Sequence, residues 1–521
     1  MNRVSRAFLR RCLAAALLVA VVACGGAPAA ATPPPEPVPA AAPAPAPPEA
    51  EPPPPVLAFP EEPFRDKAPV PGPPKAAPTP KPLIWQRKDG IEVLLVERHG
   101  LPTVTLELTF DGGTVDDPPG QEGLGSVCAA LLAEGTEKLD KLAFAQALAD
   151  VGSSVGSQAS VDQIGVSAAS LTRHLDATLA LWADTLRRPG MRQDEFDRLV
   201  KLRKAGLQAQ KGTPASVAGR VAPGIVWGTQ HAYGRIPTEV SYGALTLDAC
   251  RGWLGKRLLP GGSKLYVVGD ISRDDLDSKL TAHLGGDWQG KPKAPPAVAK
   301  AAPRKGKVFF VDMPGAEQAV LAVLHAGPPR KAADYHATML MATILGGGFS
   351  SRVNMNLREK HGFAYGASAG FSYVRNGGTF GAHASVRNDA AGASLTEIFR
   401  EMKGIRESDV TDVELSREKE GAILGLPARW STGRSILGTF QGLRWFGLPL
   451  DEFDRFPARA QAVDAKSVKA AAQKWVLPDT AQVLVVGDGA SVRPQIEALL
   501  QEGPLKGATI VTLDADGLEK P

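Results

Sequence analysis

An arginine and a tyrosine seven positions apart, Arg358 and Tyr365, have the side chains best suited to act together on a reacting group. They sit in the run Gly346-Gly347-Gly348-Phe349-Ser350-Ser351-Arg352, continued through Leu357-Arg358-Glu359-Lys360-His361-Gly362-Phe363-Ala364-Tyr365. The glycine triplet allows a close backbone approach, Ser350 is suited to cap a following helix, and Gly362 supplies the left-handed residue that ends it. The pattern predicts a helix with Arg358 in its last turn, a stop, and an extended segment that begins near Tyr365. A guanidinium and a phenol that converge on one point can hold a peptide carbonyl and stabilise the oxyanion formed when it is attacked. The same residue types also suit a helix C-terminus and a packed strand, so their meaning depends on the rest of the chain.

Two similar halves surround this run. Lys264-Leu-Tyr-Val-Val-Gly-Asp270 is matched by Gln482-Val-Leu-Val-Val-Gly-Asp488, and each is followed by a helical pattern. Upstream of each lies a succession of amphipathic helices, roughly 172–217 in the first half and 390–424 in the second, preceded by alternating strands. Strands are predicted over 83–98, with a hairpin signal at Asp89-Gly90, then over 103–110, near 152–167 and at 265–268. Antiparallel strands interleaved with grouped helices indicate an α+β fold made twice, one sheet covered by helices in each half. The boundaries read from composition are 82–289 and 307–505, with a basic Pro/Ala linker over 290–306 and a tail over 506–521.

The amino terminus has a different character. Residues 1–23 carry Arg3, Arg6, Arg10 and Arg11 and then an apolar run, the layout of a secretory signal that is too short to span a membrane. The run ends Val21-Val22-Ala23-Cys24-Gly25, which resembles a bacterial lipobox with Cys24 as the lipidation site. Glycine rather than aspartate after the cysteine resembles the outer-membrane class, so the expected location is the cell envelope, lipid-anchored, with the folded part facing the periplasm. Residues 24–81 are dominated by Pro and Ala and read as an extended tether.

Charge and cysteine usage narrow the partners. The chain holds 59 basic and 55 acidic residues, and without the four signal arginines the two balance. A neutral mature chain argues against nucleic acid as a partner and against a basic membrane-binding face, which leaves the lipid as anchor. Only Cys128 and Cys250 remain in the globular part. Both fall in apolar, helix-like contexts; two buried free thiols are the expectation, with a bridge between them possible in an oxidising compartment.

The order of these features resembles the pitrilysin and insulinase-like zinc peptidases, which include the mitochondrial processing peptidase, over about 82–503. In that family a first-half helix reads Gly-Leu-x-His-x-x-Glu-His-x-x-x-x-Gly-Thr, with two histidines as zinc ligands and the glutamate activating water. Here the frame is Gly123-Leu124-Gly125-Ser126-Val127-Cys128-Ala129-Ala130-Leu131-Leu132-Ala133-Glu134-Gly135-Thr136. Ser126 stands at the first histidine, Ala129 at the glutamate and Ala130 at the second histidine. The third ligand, a glutamate on a later helix, falls near Gly206-Leu207-Gln208, and the nearest carboxylates, Glu195 and Asp197, fall short of it. His231-Ala232-Tyr233-Gly234 resembles a family loop that is not a metal ligand, and the other histidines, 99, 174, 283, 325, 336, 361 and 383, read as surface or cap residues.

The family's second half carries a glycine-rich loop followed by Leu-Arg-Glu-x-x-Gly-x-x-Tyr, whose arginine and tyrosine bind the substrate carbonyl. Leu357, Arg358, Glu359, Gly362 and Tyr365 match it in register. The resemblance implies a clam shell of two homologous domains in which Arg358 and Tyr365 are retained, Gly346, Gly347 and Gly348 let a peptide pass close to the backbone, and this chain binds no metal. It further implies a zinc-bearing homologous subunit as partner and a peptide as substrate. The alternative is a non-catalytic structural or peptide-binding scaffold of the same fold. A hydrolase using Ser126 as nucleophile lacks any nearby base.

Overall fold

A computed structural model of the chain describes residues 62–67, 78–295, 298–299 and 306–520. The predicted signal (1–23), the lipidation site Cys24, most of the tether and part of the linker lie outside the described residues. Residues 62–67 hold one 3-10 turn, Pro63–Asp66.

The first half runs β1 (Leu83–Gln86), β2 (Glu92–Glu97), β3 (Thr103–Asp111), α1 (Leu124–Leu132), α2 (Lys141–Asp150), β4 (Ser154–Ala159) and β5 (Gln163–Leu171). It continues with α3 (Leu175–Arg187), α4 (Gln193–Gln210), α5 (Pro214–Trp227), α6 (Glu239–Gly243), α7 (Leu247–Arg257), β6 (Lys264–Gly269) and α8 (Arg273–Leu284). The second half opens with β7 (Val308–Asp312), β8 (Gln318–Gly327) and α9 (Tyr335–Ala342), which passes into a π-helical turn, Thr343–Gly347. Next comes the short α10 (Arg352–Asn354), extended by a second π-helical turn, Met355–Lys360, and then β9 (Ala364–Val374) and β10 (Gly377–Arg387). The remainder is α11 (Ala391–Glu407), α12 (Asp412–Leu424), α13 (Gly433–Phe446), α14 (Glu452–Gln461), α15 (Ala465–Trp475), β11 (Gln482–Gly487), α16 (Gly489–Gln501) and β12 (Ile510–Leu513).

Two six-stranded sheets result, ordered β1-β2-β6-β3-β5-β4 and β12-β7-β11-β8-β10-β9. From the second position onward the strands correspond one to one, so the repeated segments at 264 and 482 occupy the same place, beside the long central strand of their sheet. Most pairings are antiparallel; β6 on β2 and β11 on β7 are parallel. The edges differ in origin. In the first sheet a hairpin through Gly90, with φ +91°, folds β1 onto β2. In the second, β12 from the C-terminus lies parallel to β7.

Within 506–521, expected as a tail, Ile510–Leu513 is therefore the edge strand of the second sheet. A four-residue strand gives too short an alternation to stand out in sequence, and its position is set by the open edge of β7. Beyond it, Asp516 accepts from Arg220 at 2.8 Å and from Lys211 at 2.7 Å, tying the C-terminus to the first half.

Each sheet buries both faces, and period-two alternation sorts its side chains between two cores. In the first sheet Val93, Leu95, Leu265 and Val267 face the helices of their own half, including α1. Leu94, Val96, Tyr266 and Val268 face Ile436, Leu437, Phe440 and Leu443 of α13, from the second half. The second sheet does the reverse: Ala322, Leu324, Leu484 and Val486 pack on Val217, Val221 and Ile225 of α5, from the first half. The halves thus exchange one helix each. Every fully buried aliphatic side chain in these layers stabilises the pairing by about 1.5–3 kcal/mol. Threonine caps fix the start of both exchanged helices: Thr213 accepts from the Ser216 amide, and Thr432 forms a reciprocal capping box with Ser435.

Candidate functional site

The second π-helical turn, Met355–Lys360, and the stop that follows it position the arginine. Gly362, at φ +62°, ends the helical segment, with its amide on Arg358 O at 3.1 Å and the Phe363 amide on Leu357 O at 2.8 Å. The next residues enter β9, so Arg358 lies in the last turn and Tyr365 near the strand start. The guanidinium carbon of Arg358 stands 4.7 Å from the centroid of the Tyr365 ring and 4.9 Å from that of Phe349. Its Nε also meets Glu359 Oε1 at 3.1 Å. Tyr365 is 84% exposed and Phe349 62% exposed, so the pair sits open at the surface. Cation–π contact with two rings orients the guanidinium without occupying all of its N–H donors.

Three anchors hold this loop. Buried Asn354 donates to Phe349 O at 2.7 Å and accepts from the Ala367 amide at 3.0 Å, joining the glycine loop to β9. Arg352 forks onto Glu414 of α12, Nε to Oε1 at 2.7 Å and Nη2 to Oε2 at 2.9 Å. That fork, with further bonds from Thr411, outweighs burial and holds the Glu414 carboxyl down at about 2. Ser351 rather than Ser350 precedes the helix, and its hydroxyl turns back to Gly348 O at 2.5 Å instead of capping. The expected Ser350 cap is replaced by this loop-closing bond.

The glycines have separate roles. Gly346 is buried, and a Cβ there would lie 2.0 Å from the Ala369 amide nitrogen, so its bareness serves the approach of the π-helical turn to β9. Gly347 and Gly348 are exposed, and a Cβ on Gly348 would meet open space. With Arg358 the triplet lines a cleft of about 600 Å³, closed from the first half by Ala215, Ala218 and Gly219 of α5. The residues lining it from the first half come from α5, none from α1.

Helix α1 occupies the place of the metal motif. Asp117 is buried beneath its N-terminus and accepts from the Gly123 and Gly125 amides, both at 2.8 Å; burial pushes its carboxyl up to about 7. Ala129 is fully buried, Ser126 and Ala130 are half-buried, and Leu207 of α4, where the third ligand was expected, is buried in the same core. A serine, two alanines and a leucine offer no zinc ligand set and no general base, so these residues do not fit the metal. Glu134 and Glu195 are held instead by Lys141 and Arg198. Among the described residues no group of three or more His, Cys, Asp or Glu is placed to hold a metal ion.

Cys128 of α1 and Cys250 of α7 are joined in a disulfide, with Cα atoms 5.1 Å apart. This corrects the expectation of two free thiols. Each cysteine lies on the buried face of its helix, and packing of α1 on α7 brings together positions 122 residues apart that sequence spacing does not relate.

The histidines are mostly structural. His231 stacks on Trp227 at 5.0 Å and meets Ala299 O at 2.8 Å. His325 corrects the surface reading: it is buried, stacks on Phe380 at 4.5 Å and accepts from the Leu477 amide, and burial holds its pKa down at about 4.

Comparison with known proteins shows the family and the fold. Residues 92–221 match the family model described as insulinase (peptidase family M16), and residues 244–422 match the model described as peptidase M16 inactive domain. The chain is 25% identical over 377 residues to a protein named non-peptidase homolog YmxG from Helicobacter pylori, covering 69% of this chain and 83% of that one. It is 24% identical over 378 residues to an uncharacterized zinc protease of Mycobacterium leprae, covering 70% and 84%. Among solved structures, a peptidase M16 inactive domain from Pseudomonas fluorescens superposes with a TM-score of 0.72 at 25% identity, over 78% of this chain and 98% of that one. A protease from Helicobacter pylori shares the fold, with a TM-score of 0.71 at 18% identity, over 78% and 99%.

Proposed function

Proceeding from the insulinase-like peptidase family M16, to which this chain belongs, we propose that it is the zinc-free subunit of a two-chain metallopeptidase of the cell envelope. The partner would be a zinc-bearing homologue that supplies metal and base. In this reading Arg358 and Tyr365 supply the grip: the guanidinium positions the peptide backbone and the phenol stabilises the tetrahedral oxyanion. Gly347 and Gly348 leave room for an extended peptide beside the loop.

The observation that carries the reading is an asymmetry within one chain. The metal-holding helix is packed with alanine and leucine, while the opposite half keeps an arginine and a tyrosine in contact, open to solvent and anchored from below. A disulfide is at home in an oxidising compartment, which supports export of the chain. Attachment through a lipid on Cys24 is part of this reading, and among the described residues no helix is long and apolar enough to cross a membrane.

A scaffold without a share in catalysis is the second reading. It is favoured by the cleft itself, whose first-half wall is α5 rather than the former metal helix. Capture of the tagged full-length chain from its native envelope separates the two. The two-chain reading expects a stoichiometric zinc-bearing homologue and zinc in the complex; its absence from an otherwise intact capture contradicts it.

A further inference from the structure

At the other end of β8 and β10 from the Arg358 cleft, the two halves enclose a smaller cavity of about 340 Å³. Its ionisable lining is five cations and one carboxylate: Lys264, Arg330, Lys331, Arg375, Arg444 and Asp111. They come from the start of β6, the β8–α9 loop, the β9–β10 turn, the end of α13 and the end of β3, so the site exists only where the halves meet. Two of the cations have a carboxylate partner at hydrogen-bond distance: Arg375 meets Asp111 at 2.7 Å, and Arg444 meets Glu92 at 3.0 Å. In both, the buried Nε has no hydrogen-bond partner among the described residues.

The other three cations make no hydrogen bond to a carboxylate among the described residues. Lys331 makes no ion pair or side-chain hydrogen bond among the described residues, and Lys264 Nζ reaches only the Gly262 carbonyl, at 3.4 Å. Arg330 is 9% exposed, yet its guanidinium donates no hydrogen bond among the described residues. It lies over the Tyr335 ring at 3.3 Å and 3.8 Å from Glu452, a carboxylate already bonded to Arg459 at 2.8 Å. Five cations crowd this small volume, and the Nε groups of Arg375 and Arg444 are buried without an acceptor among the described residues, so an anion bound here would offset both the mutual repulsion and the open donors.

The geometry points to a binding site for a small phosphorylated anion at the junction of the halves, distinct from the peptide cleft. An excess of two to three positive charges around so small a volume suits a group that carries two charges on one centre, as a phosphate does, better than a single carboxylate. Guanidinium and ammonium groups together are the usual donors to such a group. Because the lining is drawn from both halves, occupancy also stabilises their association.

The test is calorimetric titration of the full chain with inorganic phosphate and pyrophosphate, beside citrate and acetate at matched ionic strength. Saturable binding of phosphate or pyrophosphate is expected, with a rise in melting temperature. The double variant Lys264→Gln, Lys331→Gln should bind at least about tenfold more weakly while melting normally without anion. Lys331→Gln alone, at an exposed position, serves if the double variant folds poorly and should show the same direction. Equal responses to acetate, tighter binding of citrate than of pyrophosphate, or unchanged binding by the lysine variants would overturn the assignment.

Discussion

The guanidinium of Arg358 lies 4.7 Å from the ring of Tyr365, although one belongs to a π-helical turn and the other to a strand. Their convergence depends on Gly362 reversing the chain and on Asn354 and Arg352 holding the loop from beneath. π-Helical turns are rare and recur at functional sites, and two flank this glycine loop.

The close approach of that loop to β9 makes Gly346 intolerant of a side chain. Gly346→Ala should destabilise the protein by roughly 2 kcal/mol or more, because the added methyl meets the backbone of Ala369. Gly348→Ala, at a position open to solvent, should change stability by less than about 0.5 kcal/mol. Urea unfolding of the two variants checks the contrast; equal effects would mean that the triplet is not divided as described.

The Cys128–Cys250 bridge closes a long loop and clamps α1 to α7 where family members hold zinc on α1. Replacing both cysteines by serine should cost about 2–5 kcal/mol. The loss should appear as a lower urea midpoint that added reductant does not lower further. A variant as stable as the parent, or free thiols at both positions under non-reducing alkylation, would contradict the bridge.

Acid should loosen the loop through Glu414. Its folded pKa of about 2 lies below the ordinary value near 4.3, so its contribution is fully present above pH 4.3 and is lost as the pH falls toward 2. With both side chains about one-fifth exposed, solvent screening reduces that contribution to about 1–2 kcal/mol. Glu414→Gln should remove this part of the pH dependence, measured as stability between pH 5 and 2. A variant with an unchanged acid profile would show that the Arg352 fork contributes nothing.

Much of this architecture was legible in local pattern. The paired segments at 264 and 482 are equivalent strands, and the Asp89-Gly90 hairpin and the stop at Gly362 lie where residue chemistry puts them. What escaped depended on contacts between distant parts. Alternation within the strands shows that both faces are apolar but not that the second cover is a helix from the other half. Cys128 and Cys250 carry no spacing signal, and β12 is defined by the edge it joins. At the site, Arg358 and Tyr365 could be found from their motif, whereas Phe349 and Asn354 could not. An aromatic in a glycine loop and an asparagine in a short helix are common, and only the fold turns them toward Arg358 and Ala367.

The central claim is that this chain supplies the carbonyl grip to a zinc-bearing partner, and its most direct measurement is peptide cleavage by the reconstituted pair. The chain alone should hold no stoichiometric zinc and cleave nothing, and the pair should be active. Arg358→Ala should lower kcat/KM by roughly 10²–10³-fold, and Tyr365→Phe should lower kcat by a comparable factor, without loss of assembly. Full activity from a pair carrying both substitutions, or cleavage by this chain alone, would contradict the account.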